Sequence, residues 1–341
     1  MKTHPHTLDA IARALVAPGK GILAADESVG TMDKRLEAAG ITPAEENRRA
    51  YREMLLGTSG LGEFISGVIL FDETLRQNDS RGVPLVERLL PAGILAGIKV
   101  DRGAKPLAGY PEDKITEGLD GLRERLAEYA KRDVQFAKWR AVFAISPKGP
   151  TAAGVRANAH ALGRYAALCQ EAGLVPIVEP EVLMDGDHSI ERHGEVTEAV
   201  LQEVFSALHE HRVRLEAILL KPNMVLAGKT SGSQVSSEQV AKATLECLRR
   251  TVPAAVPGIV FLSGGQSDIQ ATENLNALNL LAADAPWRLS FSFGRALQAP
   301  ALKRWAGDAD NVTAAQRALY HRAKCNSAAR AGTYSASVEA G

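Results

Sequence analysis

The chain has 341 residues, of which 45% are hydrophobic and 23% are charged, ordinary values for a globular protein. Its 40 basic side chains balance 40 acidic ones, so the net charge gives no overall attraction to nucleic acid or to an anionic membrane, and any anion must be bound by local groups. The three cysteines, Cys169, Cys247 and Cys325, are widely spaced, which argues against a disulfide framework and a thiolate zinc site; we expect them to be reduced and buried in helices.

The N-terminal segment, MKTHPHTLDAIARAL, has no apolar run long enough for a secretory signal. No later segment approaches the ~20 apolar residues of a membrane-spanning helix. We expect an N-terminal helix in this segment. We also expect a cytoplasmic protein whose partners include neither nucleic acid nor membrane.

Eight short apolar segments recur at intervals of a few tens of residues and predict β-strands. They span residues 19–26, 67–71, 95–101, 136–146, 174–181, 217–223, 258–266 and 289–297. Apolar runs of this length are typical of parallel strands that are buried on both faces.

Amphipathic segments between the strands predict helices. Thr42-Pro43-Ala44-Glu45 has the pattern of a capping box with proline at the first helical position, and predicts a helix through residue 56. Apolar residues at spacing four predict another helix over 196–211. A second capping box at 236–239 predicts a further helix start. Residues 313–332 predict a C-terminal helix, followed from about residue 332 by a short tail that we expect to be flexible.

Eight strands that alternate with helices, without a break in composition, favour one domain over 1–341, a single (β/α)8 barrel. A doubly wound open sheet is the alternative, but it usually has fewer strands. It would also favour a Gly-x-Gly-x-x-Gly motif after the first strand, and none occurs here. In a barrel, functional side chains lie at the C-terminal ends of the strands.

Charged side chains follow or end six of the eight predicted strands. They include Asp26, Lys99, Lys138, Arg140, Glu179, Glu181, Lys221 and Arg295. Because side chains alternate along a strand, Lys138 and Arg140 share one face, and so do Glu179 and Glu181. Structural ion pairs are the alternative explanation, but charges at six ends of otherwise apolar strands favour a polar pocket.

The last two predicted strands end in patterns that favour anion binding. Ser263-Gly264-Gly265 can turn backbone N–H groups toward an anion, and Gly294-Arg295 can add paired guanidinium donors. Barrels often bind phosphate with the loops after strands seven and eight. The pair of motifs therefore predicts a phosphorylated substrate. Lys99 and Arg35 could hold a second anionic group, although a solvated helix position is the alternative for Arg35.

A lysine ends the apolar run AILLK at residue 221. A lysine kept from water and near other cations has its ammonium form disfavoured, and the neutral amine can form a Schiff base with a carbonyl substrate. Such chemistry needs an acid and a base, which Glu179, Glu181 and Asp26 could supply. On these grounds Lys221 and Lys138 are both candidates, with Lys221 preferred because it closes a purely apolar run.

The segment DGDHSIERH, residues 185–193, brings two aspartates and two histidines together, a composition that a metal site could also have. The segment lies beyond the end of the fifth strand, where a helix begins. Asp and His residues in such a place more often cap and solvate the helix start. We therefore expect no metal and no cofactor.

Eight segments, in order, resemble the signature segments of class I fructose-1,6-bisphosphate aldolases. They are GKGILAADES, GVILF, GIKVD, FAKWR, IVEPE, LLKPNMV, FLSGGQS and FSFGRALQ. The resemblance runs from about residue 9 to about residue 330. It implies a (β/α)8 barrel, usually a homotetramer, that reversibly cleaves fructose 1,6-bisphosphate to dihydroxyacetone phosphate and glyceraldehyde 3-phosphate without metal.

The resemblance also implies a role for each site residue. It places Lys221 at the Schiff-base position, Glu179 as the general acid and base with Glu181 in support, Asp26 at the C4 hydroxyl, and Lys138 as an electrostatic partner of the intermediate. The ketose-end phosphate would be bound by Ser263, Gly264, Gly265, Ser292, Gly294 and Arg295. The opposite end of the substrate would be bound by Ser28, Arg35 and Lys99, with Arg140 beside Lys138.

Two features depart from the family pattern. Animal members end in a tyrosine that contributes to proton exchange, whereas this chain ends in SVEAG and its last tyrosine is Tyr334. Thr31 stands where many members have serine, which keeps a hydroxyl.

Two other functions are the alternatives to an aldolase. One is another sugar-phosphate enzyme with a barrel fold, and the other is a binding protein without catalysis.

Overall fold

The computed structural model describes residues 7–341. The strands are β1 Gly21–Ala25, β2 Ile65–Leu70, β3 Leu95–Lys99, β4 Ala104–Leu107, β5 Tyr110–Thr116, β6 Phe136–Phe143, β7 Val175–Val182, β8 Leu219–Leu220, β9 Gly258–Phe261 and β10 Arg288–Phe293. The α-helices are α1 Leu8–Leu15, α2 Val29–Ala38, α3 Glu45–Leu56, α4 Asp72–Arg76, α5 Leu122–Ala130, α6 Ala152–Glu171, α7 Ile190–Glu210, α8 Ser237–Thr251, α9 Asp268–Leu281, α10 Arg295–Trp305, α11 Val312–Arg330 and α12 Ala336–Ala340.

Eight of these strands form a closed parallel barrel in the order β1-β2-β3-β6-β7-β8-β9-β10, and β10 returns to pair with β1. The predicted (β/α)8 barrel, a TIM barrel, is confirmed, and the open sheet is excluded. The sixth predicted strand, 217–223, is reduced to β8, although the Lys221 N–H still donates to the Val178 carbonyl at 2.8 Å. β4 and β5 form an antiparallel hairpin outside the barrel that was not predicted, because most of its residues are exposed and carry no apolar pattern.

The N-terminal half of the barrel interior is filled by apolar side chains, and α1 covers that end. Ile11 and Leu15 of α1 belong to the same buried cluster as Phe136 and other inward side chains. The ring of Phe136 fits only because its neighbour on β3 is Gly97, where a Cβ would lie 2.1 Å from the ring. Polar side chains inside the barrel are therefore expected at its C-terminal end.

Outward side chains of the strands pack against the helices and form the larger core. Trp139 on β6 is fully buried and packs on Tyr165 of α6, with ring centroids 5.6 Å apart. Its neighbours Lys138 and Arg140 therefore point to the other face of the strand, as alternation requires.

The caps confirm one predicted helix start and correct two others. Ser236 and Gln239 form the predicted reciprocal capping box of α8. The box predicted at Thr42 is wrong: the chain stays extended through Ala44, which is the N-cap of α3 and has no side-chain oxygen to offer. The helix predicted over 196–211 begins earlier, at Ile190, where the Ser189 hydroxyl accepts the Arg192 N–H.

The C-terminal segment beyond α11 contains the short helix α12, which contacts α11. The two oxygens of Glu339 each lie 2.6 Å from Nη1 of the buried Arg322, and the Tyr334 hydroxyl donates to Glu339 at 2.6 Å. The three cysteines are buried in α6, α8 and α11 without disulfides, as predicted. Among residues 7–341, no helix is both long and apolar enough to cross a bilayer; residues 1–6 of the predicted N-terminal segment lie outside the described range.

Candidate active site

A cavity of about 540 Å³ opens at the C-terminal ends of the barrel strands. All the predicted site residues except Gly265 line it: Asp26, Ser28, Arg35, Lys99, Lys138, Arg140, Glu179, Glu181, Lys221, Ser263, Gly264, Ser292, Gly294 and Arg295. Gly265 is the next residue of the same loop and lies toward Met184, whose sulfur would be 2.7 Å from an added Cβ.

Four buried charged groups form a connected cluster at the floor of the cavity. Glu179 on β7 lies between two ammonium groups, with Oε1 3.1 Å from Lys221 Nζ and Oε2 3.2 Å from Lys138 Nζ. Lys138 Nζ also lies 2.6 Å from Asp26 Oδ2. Lys138 and Glu179 lie on the neighbouring strands β6 and β7, whereas Asp26 and Lys221 directly follow β1 and β8. Each of the four residues is less than a tenth exposed.

The contacts distinguish the two lysines electrostatically. Burial by itself lowers the pKa of Lys138, but Asp26 and Glu179 outweigh it and hold that pKa above its ordinary value. Burial likewise raises the pKa of Asp26, but Lys138 and Lys221 reverse the effect and lower it to about 2. The Asp26–Lys138 pair is therefore fully charged near neutral pH. Within the described part of the chain, the one carboxylate paired with Lys221 is that of Glu179, which it shares with Lys138.

A second carboxylate–guanidinium pair lies nearer to solvent. Arg140 Nε donates to Glu181 Oε2, and the Arg140 backbone N–H donates to Asp101. Burial lowers the pKa of Arg140, but Glu181 more than compensates, so the guanidinium stays charged. The Arg140 side chain is 43% exposed, so it remains accessible to an anion that enters the cavity.

The loops after β9 and β10 provide hydrogen-bond donors on one wall. Gly264 and Gly265 both have positive φ, +30° and +85°, a conformation that residues with side chains rarely adopt. Such a conformation allows successive backbone N–H groups to bind one anion. The Ser292 hydroxyl is buried in the same wall and has no hydrogen-bond partner among residues 7–341. Arg295 is exposed at the first residue of α10. These groups together can bind one phosphate.

The opposite wall comes from α2 and β3. The hydroxyls of Ser28 and Thr31 lie 3.1 Å apart on the first turn of α2, and Arg35 follows one turn later. Lys99 at the end of β3 contacts Asp101 through Nζ at 2.6 Å and is partly exposed. This wall offers hydroxyls and cations for a second anionic group.

Sequence reasoning missed Glu27, which also lines the cavity. Glu27 directly follows Asp26 beyond β1, and the alternation of side chains places it off the Asp26 face. Its carboxylate lies 2.5 Å from a guanidinium nitrogen of each of two arginines, Arg35 and Arg52. Lys34 was missed as well, since it carries no motif.

The segment 185–193 does not solvate a helix start as expected. Asp185 and Asp187 are exposed, but His188 and His193 are buried and stacked, with ring centroids 5.1 Å apart. His193 contacts the Val182 carbonyl through Nε2 at 3.3 Å, and its Nδ1 accepts the Leu226 N–H. The histidines are therefore packing residues next to β7, whereas the two aspartates are exposed and the N-cap of α7 is Ser189.

One group among the described residues has ligand atoms close enough to suggest a metal: His321, Cys325 and Glu339, all within 4.8 Å. Both Glu339 oxygens are already bound by the Arg322 guanidinium. A buried cation at this distance opposes a metal ion, so the group is better explained as the contact between α11 and α12.

The comparisons with known proteins agree on one family. The family model described as fructose-bisphosphate aldolase class-I matches residues 7–341. The chain is 56% identical over 324 residues to the probable fructose-bisphosphate aldolase class 1 of Xanthomonas axonopodis, which covers 95% of this chain and 97% of the relative. It is 52% identical over 335 residues to fructose-bisphosphate aldolase C of Pan troglodytes, covering 98% and 92%.

A solved structure of similar fold is that of fructose-bisphosphate aldolase from Plasmodium falciparum in complex with TRAP and a small-molecule inhibitor. It superposes with a TM-score of 0.95 at 51% identity, and the match covers 96% of this chain and 95% of that one.

Proposed function

The chain belongs to the class I fructose-bisphosphate aldolase family, and we propose that Lys221 is the lysine that forms its Schiff base. The reaction of the family is the reversible cleavage of fructose 1,6-bisphosphate to dihydroxyacetone phosphate and glyceraldehyde 3-phosphate. The observation that carries the assignment is the shared contact of Glu179 with Lys221 and Lys138.

That contact supports Lys221 over Lys138 as the nucleophile. Lys138 is bound by two carboxylates that favour its ammonium form. An ammonium has no lone pair with which to attack a carbonyl carbon. Lys221 contacts one carboxylate, at 3.1 Å, and that carboxylate can accept the proton that Lys221 must lose before it attacks.

We propose the following proton transfers, which the positions of Glu179 and Asp26 support. Lys221 attacks the C2 carbonyl carbon, and Glu179 protonates the departing hydroxyl, so that water leaves and an iminium remains. Asp26 takes the proton of the C4 hydroxyl. The C3–C4 bond breaks, the aldehyde product leaves, and the electron pair moves into the iminium to give an enamine. Protonation at C3 and hydrolysis release dihydroxyacetone phosphate and restore the lysine.

Lys138 and the two polar walls position and stabilise the substrate in this scheme. Lys138 stays charged and lies between Asp26 and Glu179, where it can stabilise the oxygens that gain negative charge. The wall of Ser263, Gly264, Gly265, Ser292, Gly294 and Arg295 would hold the ketose-end phosphate. The wall of Ser28, Arg35 and Lys99 would hold the other phosphate, with Glu181 orienting Arg140 between them.

The proposal extends to assembly and location. We propose a homotetramer in the cytoplasm, acting on a sugar phosphate rather than on nucleic acid, on the basis of the family resemblance and of the neutral net charge. Sedimentation analysis of the purified chain at micromolar concentration tests the assembly, and a monomer under those conditions would contradict it.

Borohydride trapping tests the nucleophile. The protein is reduced with borohydride in the presence of dihydroxyacetone phosphate, and the adduct is mapped by peptide mass spectrometry. We expect the adduct on Lys221, and no adduct and no turnover in Lys221→Met with unchanged circular dichroism. An adduct on Lys138 with Lys221 unmodified, or turnover by Lys221→Met, would overturn the assignment. Loss of activity in EDTA would contradict a metal-independent reaction.

A further inference from the structure

Glu27 binds two arginines from two different helices. Its Oε1 lies 2.5 Å from Nη1 of Arg35 on α2, and its Oε2 lies 2.5 Å from Nη1 of Arg52 on α3. Nη2 of Arg52 also donates to the Glu27 backbone carbonyl at 3.2 Å. Arg52 is thus fixed at two points of Glu27, while Arg35 is held at one.

A residue of a third helix, α10, also hydrogen-bonds to the Glu27 carboxylate. Gln298 on α10 donates through Nε2 to Glu27 Oε1 at 2.8 Å and to the Ala24 carbonyl at 2.6 Å. The Tyr51 hydroxyl donates to Gln298 Oε1 at 3.1 Å. Tyr51 and Gln298 are both buried, so this is a fully connected polar network inside the wall of the cavity.

The network carries an excess of one positive charge. Two guanidinium groups share a single carboxylate, and burial, which would raise the pKa of Glu27, is outweighed by Arg52 and Arg35, which hold it below its ordinary value. The side chain of Arg52 is 3% exposed and that of Arg35 is 25% exposed. The uncompensated charge therefore faces the cavity through Arg35, beside the hydroxyls of Ser28 and Thr31.

Glu27 is unsuited to proton transfer, since each of its oxygens is held by an arginine and it contacts neither Lys221 nor Lys138. We propose that Glu27 is a positioning residue that holds the Arg35 guanidinium in place for the second phosphate, and thereby sets the preference for a bisphosphate over a monophosphate. The inference rests on the proposed function of the site. Arg52 anchors the carboxylate, and Arg35 contacts the substrate.

The test compares two substrates that differ at that end. Fructose 1,6-bisphosphate carries both phosphates, whereas fructose 1-phosphate lacks the second one. In Glu27→Gln, which keeps the shape but not the charge, we expect KM for the bisphosphate to rise about tenfold, from the loss of charge-assisted hydrogen bonds. We expect kcat to change less than KM, and the ratio of kcat/KM between the two substrates to fall about fivefold or more.

Two further variants show whether Glu27 acts through Arg35. Arg35→Gln should lower the same ratio, and the double variant should fall little further, because two residues in one contact are not additive. Glu171→Gln removes the carboxylate of an exposed pair with Arg123, remote from the cavity, and serves as the matched control. It should leave both substrates within experimental error of the parent protein.

Failure of the positioning role of Glu27 and failure of the proposed function give different results in these experiments. Equal losses on both substrates in Glu27→Gln, or additive effects with Arg35→Gln, would overturn the positioning role. If Glu27→Gln does not fold, Glu27→Asp keeps the charge but withdraws it from Arg35, and the same fall in the ratio is expected; an unchanged ratio there also overturns it. Failure of the parent protein to form the borohydride adduct would instead overturn the proposed function.

Discussion

Asp26 and Lys138 form a buried ion pair of 2.6 Å at the mouth of the barrel. The pair joins β1 to β6, two strands that are not neighbours, across the barrel interior. Because the pKa of Lys138 is raised and that of Asp26 is lowered to about 2, both groups stay ionised over the working pH range. The site therefore holds a fixed cation next to the nucleophile that we propose.

Lys138→Met should separate catalysis from adduct formation. Loss of the fixed cation should lower kcat by about 100-fold or more, as is usual when one preorganised electrostatic group is removed. Prolonged borohydride trapping should still modify Lys221. Steady-state kinetics and peptide mapping measure the two effects. A fully active Lys138→Met protein would show that the cation does not act in the reaction.

Arg295→Ala should mainly weaken substrate binding. Arg295 lies on the wall that we propose binds the ketose-end phosphate, and it is exposed at the start of α10. Loss of a guanidinium that binds phosphate should raise KM about 10-fold to 100-fold, at ~1.5–3 kcal/mol for hydrogen bonds to a charged group. Inhibition by inorganic phosphate should weaken in parallel. A fall in kcat with unchanged KM would place Arg295 in the chemical step instead.

The stability of the fold should fall as acid protonates His193. Burial and the neighbouring His188 lower the pKa of His193 from 6.5 to about 4. The contact with the Val182 carbonyl raises this pKa but does not outweigh them. Between these two values the unfolded chain binds a proton that the folded protein does not. The free energy of unfolding should therefore decrease as pH falls from about 6.5 to about 4, by up to ~1.4 kcal/mol per pH unit.

Urea titrations of His193→Gln measure that contribution. The variant should show a shallower dependence of the unfolding free energy on pH in this window, with a residual slope from His188, whose pKa burial also lowers. His209→Gln, at an exposed position of α7, is the control and should keep the slope of the parent protein. Identical slopes in all three proteins would contradict the assignment.

Glu339→Gln should destabilise the contact between α11 and α12. It leaves the buried guanidinium of Arg322 without its carboxylate, and Glu339 is partly exposed, so we expect a loss of about 1 to 3 kcal/mol. Thermal melting and the rate of proteolysis after residue 332 report the effect. Glu238→Gln removes an exposed pair with Lys242 and should change neither. If both variants behave alike, the tail is held weakly, and the predicted flexibility of this segment gains support.

The barrel and most of the candidate site could be predicted from the order of the amino acids alone. A strand that is buried on both faces must be apolar along its length, so eight apolar runs are visible without any knowledge of contacts. A charged side chain within or at the end of such an apolar run is therefore informative. Side chains also alternate between the two faces of a strand. Lys138, Arg140, Glu179, Glu181 and Lys221 could therefore be predicted as neighbours at one end of the barrel.

Features that depend on local backbone conformation or on burial were less predictable. Thr42 has the residue pattern of a cap, but the chain is still extended at Ala44, and a pattern of residue types does not report φ and ψ. His188 and His193 look like a solvated helix start, yet packing behind β7 buries them. Short polar segments such as the β4–β5 hairpin have no periodic signal at all.

Which charged groups pair with one another became visible only in the folded chain. Glu27 is adjacent to Asp26 in the sequence, but its partners come from α2, α3 and α10, up to 271 residues away. Closure of the barrel sets β10 against β1 and so brings Gln298 to Glu27. In the same way, the barrel brings Lys138 and Lys221 to opposite oxygens of Glu179. A single chain records each residue type, whereas ion pairing depends on distances that exist only when the barrel has closed.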